Sequence, residues 1–299
     1  NGLTYVELFK ARGIEPDKFL RNFSWFFSNG MDPEYAVIGR VSRRIWAIAM
    51  RDLYGVDERG QKLKYHIQSS GRSLHSQEFT WNDYRTTLQA LYALADNANS
   101  LHTNSRDEAF GTPTEDTVRD AVAIQLILAK EYGWLRNENP LQGSFVADFL
   151  TDEVEEKVLR IFEEMHSRGG VLGALEVNYQ RNRIQDEGML YEHRKHTGET
   201  PIVGVNTFTD PDSSTPSAED FDIEVTRSDE SEKKMVIGRN REFKEAHSKE
   251  SGEGLARLKQ AAREGGNLFE VMMEIVEHCS VGQVTQALFE SGGKFRRNM

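Results

Sequence analysis

Two polar side chains, His66 and Gln68, lie two residues apart in a short stretch of β-favouring residues. Residues two apart on a strand point to the same face of the sheet. In a parallel barrel that face is the interior, and functional side chains gather near the carboxyl ends of the strands. An imidazole and an amide in this arrangement can face a bound ligand. The alternative is that both are polar groups on an ordinary sheet surface.

Asn104 and Glu108 are four residues apart and follow the next strand-like stretch, at a turn from strand to helix. An amide and a carboxylate so placed can bind vicinal hydroxyl groups, such as those of a ribose. The alternative is that Asn104 caps a helix and that Glu108 lies in its first turn, where the helix dipole stabilises a carboxylate. The residue pattern alone favours capping.

Three basic residues, Arg59, Lys62 and Lys64, precede His66 in the sequence. Arginine and lysine side chains in such a group can hold a phosphate. The alternative is a run of solvated charges, which the residue pattern alone favours.

Two histidines, His193 and His196, are three residues apart in a predicted helix. A metal site would need a third and a fourth ligand, and none is obvious in the sequence. The single cysteine, Cys279, is far away along the chain. The sequence therefore predicts no metal site.

The overall composition restricts the class of protein. The 299 residues carry a net charge of −11, whereas surfaces that bind nucleic acid are basic. No apolar run approaches the roughly 18 residues that a transmembrane helix needs. The lone cysteine excludes an internal disulfide and suggests a reducing compartment. We therefore expect a cytoplasmic protein with no nucleic-acid or membrane partner.

The elements that must position these groups alternate between strands and helices. Strands are predicted at Phe19–Phe27, Leu63–Gln68 and Ala98–His102, with a further candidate at Pro201–Val205. Amphipathic helices are predicted between and after them. Two strand–helix repeats followed by helices predict an α/β fold, the C-terminal part of a (β/α)8 TIM barrel followed by a helical C-terminal segment.

Two helix starts can be predicted from capping patterns. Thr112 precedes Pro113 and Glu115, which predicts that Thr112 caps the helix that follows. Ser280 stands three residues before Gln283, the spacing of a capping box for the last helix.

Changes in composition predict the domain boundaries. We expect the barrel segment over residues 1–208 and a helical segment over residues 233–299. Residues 209–232 between them are rich in Asp, Glu, Ser and Pro. Such a stretch cannot bury enough apolar surface to offset its ordering entropy, so an acidic, mobile linker is predicted.

Several stretches of the chain resemble one family, the adenosylcobalamin-dependent acyl-CoA mutases, of which methylmalonyl-CoA mutase is the best known. The matching stretches include residues 66–71 (HIQSSG), 100–109 (SLHTNSRDEA) and 203–206 (VGVN). Together the matches cover most of the chain from Ser24 to Asn206. The resemblance implies an isomerase built on a TIM barrel.

Other stretches resemble a subgroup, the fused isobutyryl-CoA mutases, in residues 27–35 (FSNGMDPEY) and 189–196 (MLYEHRKH). The resemblance implies interconversion of isobutyryl-CoA and n-butyryl-CoA. The alternatives are a methylmalonyl-CoA mutase and a non-catalytic barrel partner subunit. In the subgroup a cobalamin-binding domain and a GTPase domain precede the barrel in one chain. The implied cofactors are therefore adenosylcobalamin, held mainly by an upstream domain, and GTP with Mg in the full-length protein. We expect the full-length protein to be a homodimer.

The resemblance also implies roles for the residues around the predicted strands. It implies that His66 and Gln68 face the substrate and the corrin–adenosyl region. It implies that Asn104 and Glu108 bind the deoxyadenosyl ribose, which reverses the preference for capping.

Further positions correspond to contacts with the substrate and the nucleotide. Ser24, Arg59 and Lys64 are implied to contact the CoA part of the acyl-CoA substrate. Glu176 and Asn298 are implied to touch the guanine nucleotide bound by the GTPase domain.

The implied chemistry is a radical rearrangement. Cobalt–carbon homolysis gives a deoxyadenosyl radical, which takes a hydrogen from the substrate, and the carbonyl-CoA group then migrates before the hydrogen returns. The catalytic histidine of the family and the residues that select the acyl group are expected upstream of Asn1. We therefore expect the chain by itself to be inactive and poorly soluble, since half a barrel leaves open strand edges.

Overall fold

The computed structural model describes residues 1–210 and 227–294, which form a mostly helical α/β protein with one small parallel sheet. The chain divides into two compact units, Asn1–Thr226 and Arg227–Met299. Among the described residues, no helix is both long and apolar enough to cross a membrane.

The sheet lies in the first unit and has three parallel strands in the order β1-β2-β3. Their bounds are Trp25–Asn29 for β1, Tyr65–Ser69 for β2 and Ser100–His102 for β3. His66 is in register with Phe26 on one side and with Ser100 on the other. The predicted strands around His66 and His102 are confirmed, with boundaries shifted by one or two residues.

Helices connect and cover the strands of the first unit. They are α1 (Gly2–Ala11), α2 (Pro16–Phe19), α3 (Ile38–Asp52), α4 (Asn82–Ala95), α5 (Glu115–Lys130), α6 (Phe145–His166), α7 (Gly170–Glu176) and α8 (Tyr179–Thr197). The second unit contains α9 (Glu230–Ala246), α10 (Ser248–Glu264), α11 (Leu268–Ile275) and α12 (Val281–Gly292).

The two faces of the sheet have different environments. Tyr65 and Ile67 of β2 are each 1% exposed and pack in a core that includes Val6 of α1 and Trp46 of α3. On the opposite face, Phe26 of β1 is 60% exposed. Among the described residues, helices therefore cover only one side of the sheet.

The predicted strand Phe19–Phe27 is wrong in its first half. Pro16 begins the short helix α2, which ends at Phe19, and the strand starts only at Trp25. The segment is rich in apolar residues because its aromatic rings pack in a cluster, and not because it forms a strand. The rings of Phe9 and Phe19 are 4.9 Å apart, and those of Phe23 and Trp46 are 6.2 Å apart.

The strand candidate Pro201–Val205 is also wrong, because this segment forms turns and only an isolated bridge between Val203 and Thr207. Asn206 explains the turns. Its Oδ1 accepts a hydrogen bond from the backbone N–H of Ile202 at 2.7 Å, and its Nδ2 donates to the carbonyl oxygens of Lys195 and Thr200.

The predicted cap at Thr112 is wrong, because α5 begins two residues later with Thr114 as its N-cap. Thr114 and Thr117 form a reciprocal capping box. The buried carboxylate of Asp107 explains the choice of residue. It accepts hydrogen bonds from Thr114 N at 3.1 Å and from Thr117 Oγ1 at 2.7 Å.

The predicted linker falls largely on residues 211–226, which lie outside the described residues, so its character stays a prediction. Helix α9 begins at Glu230, three residues before the predicted start of the helical segment at residue 233. Asp229 causes this earlier start, because its side chain accepts a hydrogen bond from Glu232 N at 2.8 Å.

The second unit packs α10, α11 and α12 around Leu258, Ile275, Cys279 and Ala287. The predicted capping box of its last helix is confirmed. Ser280 Oγ accepts from Gln283 N at 3.4 Å, and Gln283 Oε1 accepts from Ser280 N at 3.0 Å.

We expect Ser280→Ala to destabilise α12 locally by about 1 kcal/mol, because the change removes an N-cap. Hydrogen exchange in the full-length protein should then be about fivefold faster in peptides from α12. Ser291→Ala is the matched control, since Ser291 Oγ donates back to Ala287 O within the same helix and does not cap its N-terminus. Equal exchange rates in the two variants would contradict the prediction.

Candidate functional site

The exposed face of the sheet carries two rows of side chains that cross all three strands. The first row contains Phe26, His66 and Ser100. His66 Nδ1 lies 2.8 Å from Ser100 Oγ, and the rings of Phe26 and His66 are stacked with centroids 5.6 Å apart. The imidazole is therefore held on both sides while its outer edge remains accessible.

The second row lies one step closer to the carboxyl ends of the strands and contains Ser28, Gln68 and His102. Gln68 Nε2 donates to Asn104 Oδ1 at 3.3 Å. The structure thus joins two residues that were predicted separately. Sequence reasoning did not single out Phe26, Ser28, Ser100 or His102, although their alternation along each strand was a usable signal.

Asn104 is fixed at the carboxyl end of β3. Its side chain is buried, with 2% exposure, and its backbone N–H donates to Ser69 Oγ at 3.0 Å. The turn that follows, Arg106–Ala109, has Ser105 as its N-cap and no side-chain capping bond. The capping interpretation of Asn104 is therefore wrong, and its amide is directed to Gln68 instead.

The turn after Asn104 directs two neighbouring carboxylates differently. Asp107 is 4% exposed and bonds to the start of α5. Glu108 is exposed, and its backbone N–H donates to Ser105 O at 3.2 Å. Because Asp107 anchors the turn, Glu108 can present its carboxylate to a ligand without any other structural task.

The residues implied to contact CoA lie at the opposite, amino end of the sheet. Ser24 directly precedes β1, Lys64 directly precedes β2, and Arg59 is exposed in the loop before β2. Lys64 Nζ donates to Arg21 O at 2.9 Å. Gln68 follows Lys64 by four positions of extended chain, which corresponds to about 13 Å.

The remaining predicted positions are not part of this face. Glu176 is the last residue of α7, a helix that packs on α6 and α8. Asn298 lies outside the described residues. His193 and His196 are exposed on α8, and within residues 1–210 and 227–294 no three metal-ligating side chains converge.

A buried network behind the sheet holds β2 in position. Tyr65 Oη donates to Asp96 O at 2.6 Å, and the Arg43 guanidinium lies 4.6 Å from the Tyr65 ring centroid. The Asp96 carboxylate accepts from the backbone N–H groups of Gly39 and Arg40 at the start of α3. Burial raises the pKa of Asp96 to about 7 even though these hydrogen bonds lower it.

The same burial affects the Tyr65 hydroxyl, whose pKa is raised chiefly by desolvation. Tyr65 therefore remains a neutral hydrogen-bond donor beneath His66 and Gln68. Tyr65 thus contributes an uncharged, hydrogen-bonded contact on the buried side of β2.

Comparison with known proteins gives several related sequences. The methylmalonyl-CoA mutase family model matches residues 1–294. A fused isobutyryl-CoA mutase from Geobacillus kaustophilus is 60% identical over 100% of this chain, which covers 27% of that protein. Another from Paraburkholderia xenovorans is 59% identical over 100% of this chain and 23% of that protein.

A methylmalonyl-CoA mutase from Cereibacter sphaeroides is more distant, 32% identical over 99% of this chain and 41% of that protein. The chain spans about a quarter of the length of the two fused relatives. The family model covers nearly every residue, including both rows of the exposed sheet face. The chain thus belongs to the methylmalonyl-CoA mutase family.

Proposed function

We propose that this chain is part of an adenosylcobalamin-dependent isomerase that interconverts isobutyryl-CoA and n-butyryl-CoA. One observation carries the proposal. Side chains with the implied roles follow one line along the sheet, from Lys64 at the amino end through His66 and Gln68 to Asn104 at the carboxyl end. The match over the whole chain to fused isobutyryl-CoA mutases supports the choice of substrate.

The fold proposed for the full-length protein is a (β/α)8 barrel to which this chain contributes the C-terminal part. In the described part of the chain, helices cover only one face of the three parallel strands, which is consistent with an incomplete barrel. Exposed apolar residues at one side support this, since Val118, Val122 and Leu126 of α5 are 45–50% exposed. An apolar cavity of about 630 Å³ lies at the other side, between α1, β1, α3 and α6. Upstream barrel elements are proposed to cover both surfaces.

Asn104 and Glu108 suit the ribose of the adenosyl group. The amide of Asn104 is buried and fixed by Gln68, whereas Glu108 offers an exposed carboxylate to a diol. Bound adenosylcobalamin supplies the radical chemistry of the rearrangement. The proposed task of the two residues is to hold the sugar in one orientation.

His66 and Gln68 are proposed to orient the substrate between the CoA end and the cofactor end. Ser100 and Phe26 restrict the His66 ring, and Asn104 restricts the Gln68 amide. Such preorganised side chains spend little free energy on ordering when the substrate binds. A hydrogen bond joins Gln68, proposed to contact the substrate, to Asn104, proposed to contact the ribose. The two side chains would therefore position substrate and ribose relative to each other.

The other partners are proposed on the resemblance to fused relatives alone. They comprise an upstream cobalamin-binding domain and an upstream GTPase domain with GTP and Mg. Contacts from Glu176 and Asn298 to the guanine nucleotide, a homodimer and a cytoplasmic location belong to the same proposal.

The direct test supplies the full-length protein with adenosylcobalamin and either isobutyryl-CoA or methylmalonyl-CoA. Chromatography of the acyl-CoA products should detect n-butyryl-CoA from the first substrate. Formation of succinyl-CoA from methylmalonyl-CoA, without any n-butyryl-CoA, would favour the alternative of a methylmalonyl-CoA mutase. The relative at 32% identity bears that name. No conversion of either substrate would favour a non-catalytic subunit.

We expect Lys64→Ala in the full-length protein to raise the KM for the acyl-CoA by about tenfold, with little change in kcat. The reason is that a contact to a remote part of the substrate stabilises the ground state and the transition state equally. Steady-state kinetics over a range of isobutyryl-CoA concentrations measure both constants.

Lys157→Ala is the matched control for Lys64→Ala, since Lys157 is an exposed lysine on α6 outside the sheet. It should leave both constants unchanged. A fall in kcat with an unchanged KM in Lys64→Ala would show that Lys64 does not act on the CoA end.

A further inference from the structure

A separate cavity of about 460 Å³ lies beyond the carboxyl ends of β1 and β2. None of its lining residues belongs to the two rows of the exposed sheet face. Its walls come from the loops after the two strands, from one side of α4, from α8 and from residues 200–203. A volume of this size accommodates a small organic molecule.

Arg85, on the α4 side of this cavity, is a half-buried cation. Its guanidinium donates to Asn82 Oδ1 at 2.8 Å and to Val203 O at 2.6 Å, both neutral acceptors. In the described part of the chain no carboxylate comes within 4 Å of it. Burial lowers the pKa of Arg85, as expected for a charge that lacks a counterion. Partly buried charges are normally paired, so the Arg85 guanidinium favours binding of an anion in this cavity.

Arg72 contributes a second guanidinium to the cavity. It lies 4.4 Å from the centroid of the Tyr191 ring, in a cation–π contact that holds it at this wall of the cavity. Among residues 1–210 and 227–294, its guanidinium has no hydrogen-bond acceptor. Its N–H groups are therefore available to a planar oxyanion, which arginine binds in a bidentate manner.

One further cation, Lys195, and two carboxylates, Asp32 and Glu192, lie near the two guanidinium groups. Burial and the charges of Arg85 and Lys195 lower the pKa of His75 to about 4, so this imidazole is neutral at pH 7. Glu192 is paired with Lys195 at 2.5 Å, and its carboxylate also interacts electrostatically with Arg72. Asp32 is an exposed carboxylate among the lining residues, and its negative charge partly offsets the two guanidinium charges.

The remaining walls are aromatic or apolar. Trp81, Tyr84 and Tyr191 contribute rings, and Ile202 and Val203 contribute aliphatic side chains. Ligand sites commonly combine such walls with a few charged groups that select the ligand. The lining thus suits an anion attached to a flat, apolar body.

We propose that this Arg72–Arg85 pocket binds a small organic anion, a carboxylate on an aromatic or similarly flat body. The site is distinct from the line of residues assigned to CoA and adenosyl groups, and it does not depend on the proposed isomerase activity. The loop that carries Arg72 also follows Gln68 on β2, so an occupant would contact the connection next to the functional face.

The test measures binding of benzoate and of its neutral analogue benzamide to the full-length protein by titration calorimetry. Benzoate should bind. Benzamide should have an affinity lower by a factor of about ten or more, because it lacks the charge that the guanidinium groups select. A saturating amount of CoA should not displace benzoate. Absence of benzoate binding, equal affinities of the two probes, or displacement by CoA would each overturn the proposal.

Two pocket variants and one control assign the binding to these residues. Arg72→Gln and Arg85→Gln should each weaken benzoate binding by about tenfold or more. Arg160→Gln removes an exposed arginine on α6 and should leave the affinity unchanged. Arg72 makes no hydrogen bond through its guanidinium to the described chain, so its variant keeps the test valid if loss of Arg85 disturbs the fold. Unchanged benzoate affinity in Arg72→Gln would overturn the proposal.

Discussion

Replacement of Glu108 by alanine in the full-length protein is expected to slow the substrate-dependent absorbance change of bound adenosylcobalamin by about ten- to a hundredfold. One carboxylate contact to a sugar diol contributes about 1.5–3 kcal/mol, which corresponds to this range. Glu108 is exposed and has no structural task in the turn, because Asp107 makes the bonds to α5. The substitution should therefore affect the cofactor and not the fold.

Stopped-flow absorbance after mixing with isobutyryl-CoA measures this rate. Titration with adenosylcobalamin measures the affinity separately and does not require turnover. Glu108→Gln keeps one acceptor oxygen and should give an intermediate rate. Glu138→Ala, a change of an exposed carboxylate in the loop after α5, is the control and should behave like the wild type. A wild-type rate in Glu108→Ala would remove Glu108 from the ribose site.

Gly39→Ala is expected to destabilise the first unit by about 3 kcal/mol, at the upper end of the cost of overpacking a core. A Cβ at this position would lie 2.0 Å from Tyr65 Oη and 2.6 Å from an oxygen of Asp96. Tyr65 is 1% exposed and Asp96 is 3% exposed, so neither side chain can move into solvent. The glycine allows α3 to approach β2 closely, and the alanine would force them apart.

Calorimetry of the full-length protein should show a lower Tm for the transition that contains this unit. Gly188→Ala is the matched control, because the nearest atom to its Cβ is Arg72 Nη2 at 3.9 Å. Alanine is a better helix former than glycine by up to about 1 kcal/mol, so the control should be neutral or slightly stabilising. An unchanged Tm in Gly39→Ala would mean that Tyr65 and Asp96 are free to rearrange.

The strands that carry His66 and His102 could be predicted because their signal is local. Alternation of apolar and polar residues around His66 specifies both a strand and the face on which Gln68 lies. The capping box at Ser280 is equally local, since all its hydrogen bonds join residues three positions apart. Such features depend on neighbours in the sequence and can therefore be predicted without knowledge of the fold.

The errors have a common physical cause. The aromatic run before Trp25 is apolar because its rings contact Phe9 of α1 and Trp46 of α3. Pro201–Val205 forms turns because the Asn206 side chain accepts a hydrogen bond from Ile202 N. Thr114 rather than Thr112 caps α5 because Asp107 bonds to it from the preceding turn. In each case a contact outside the local pattern outweighed the propensity of the segment.

The sequence by itself determined the family of the chain, the parallel strand–helix order and the candidate side chains, since motifs and periodicity are properties of neighbouring residues. Only the tertiary structure decided which of these side chains meet. Register between strands joins Gln68 to Asn104 and His66 to Ser100, and it sets Lys64 apart at the opposite end of the sheet. The Arg72–Arg85 pocket likewise arises from segments more than a hundred residues apart, as Arg72 and Tyr191 illustrate. Packing free energy brings such segments together, and no local pattern encodes it.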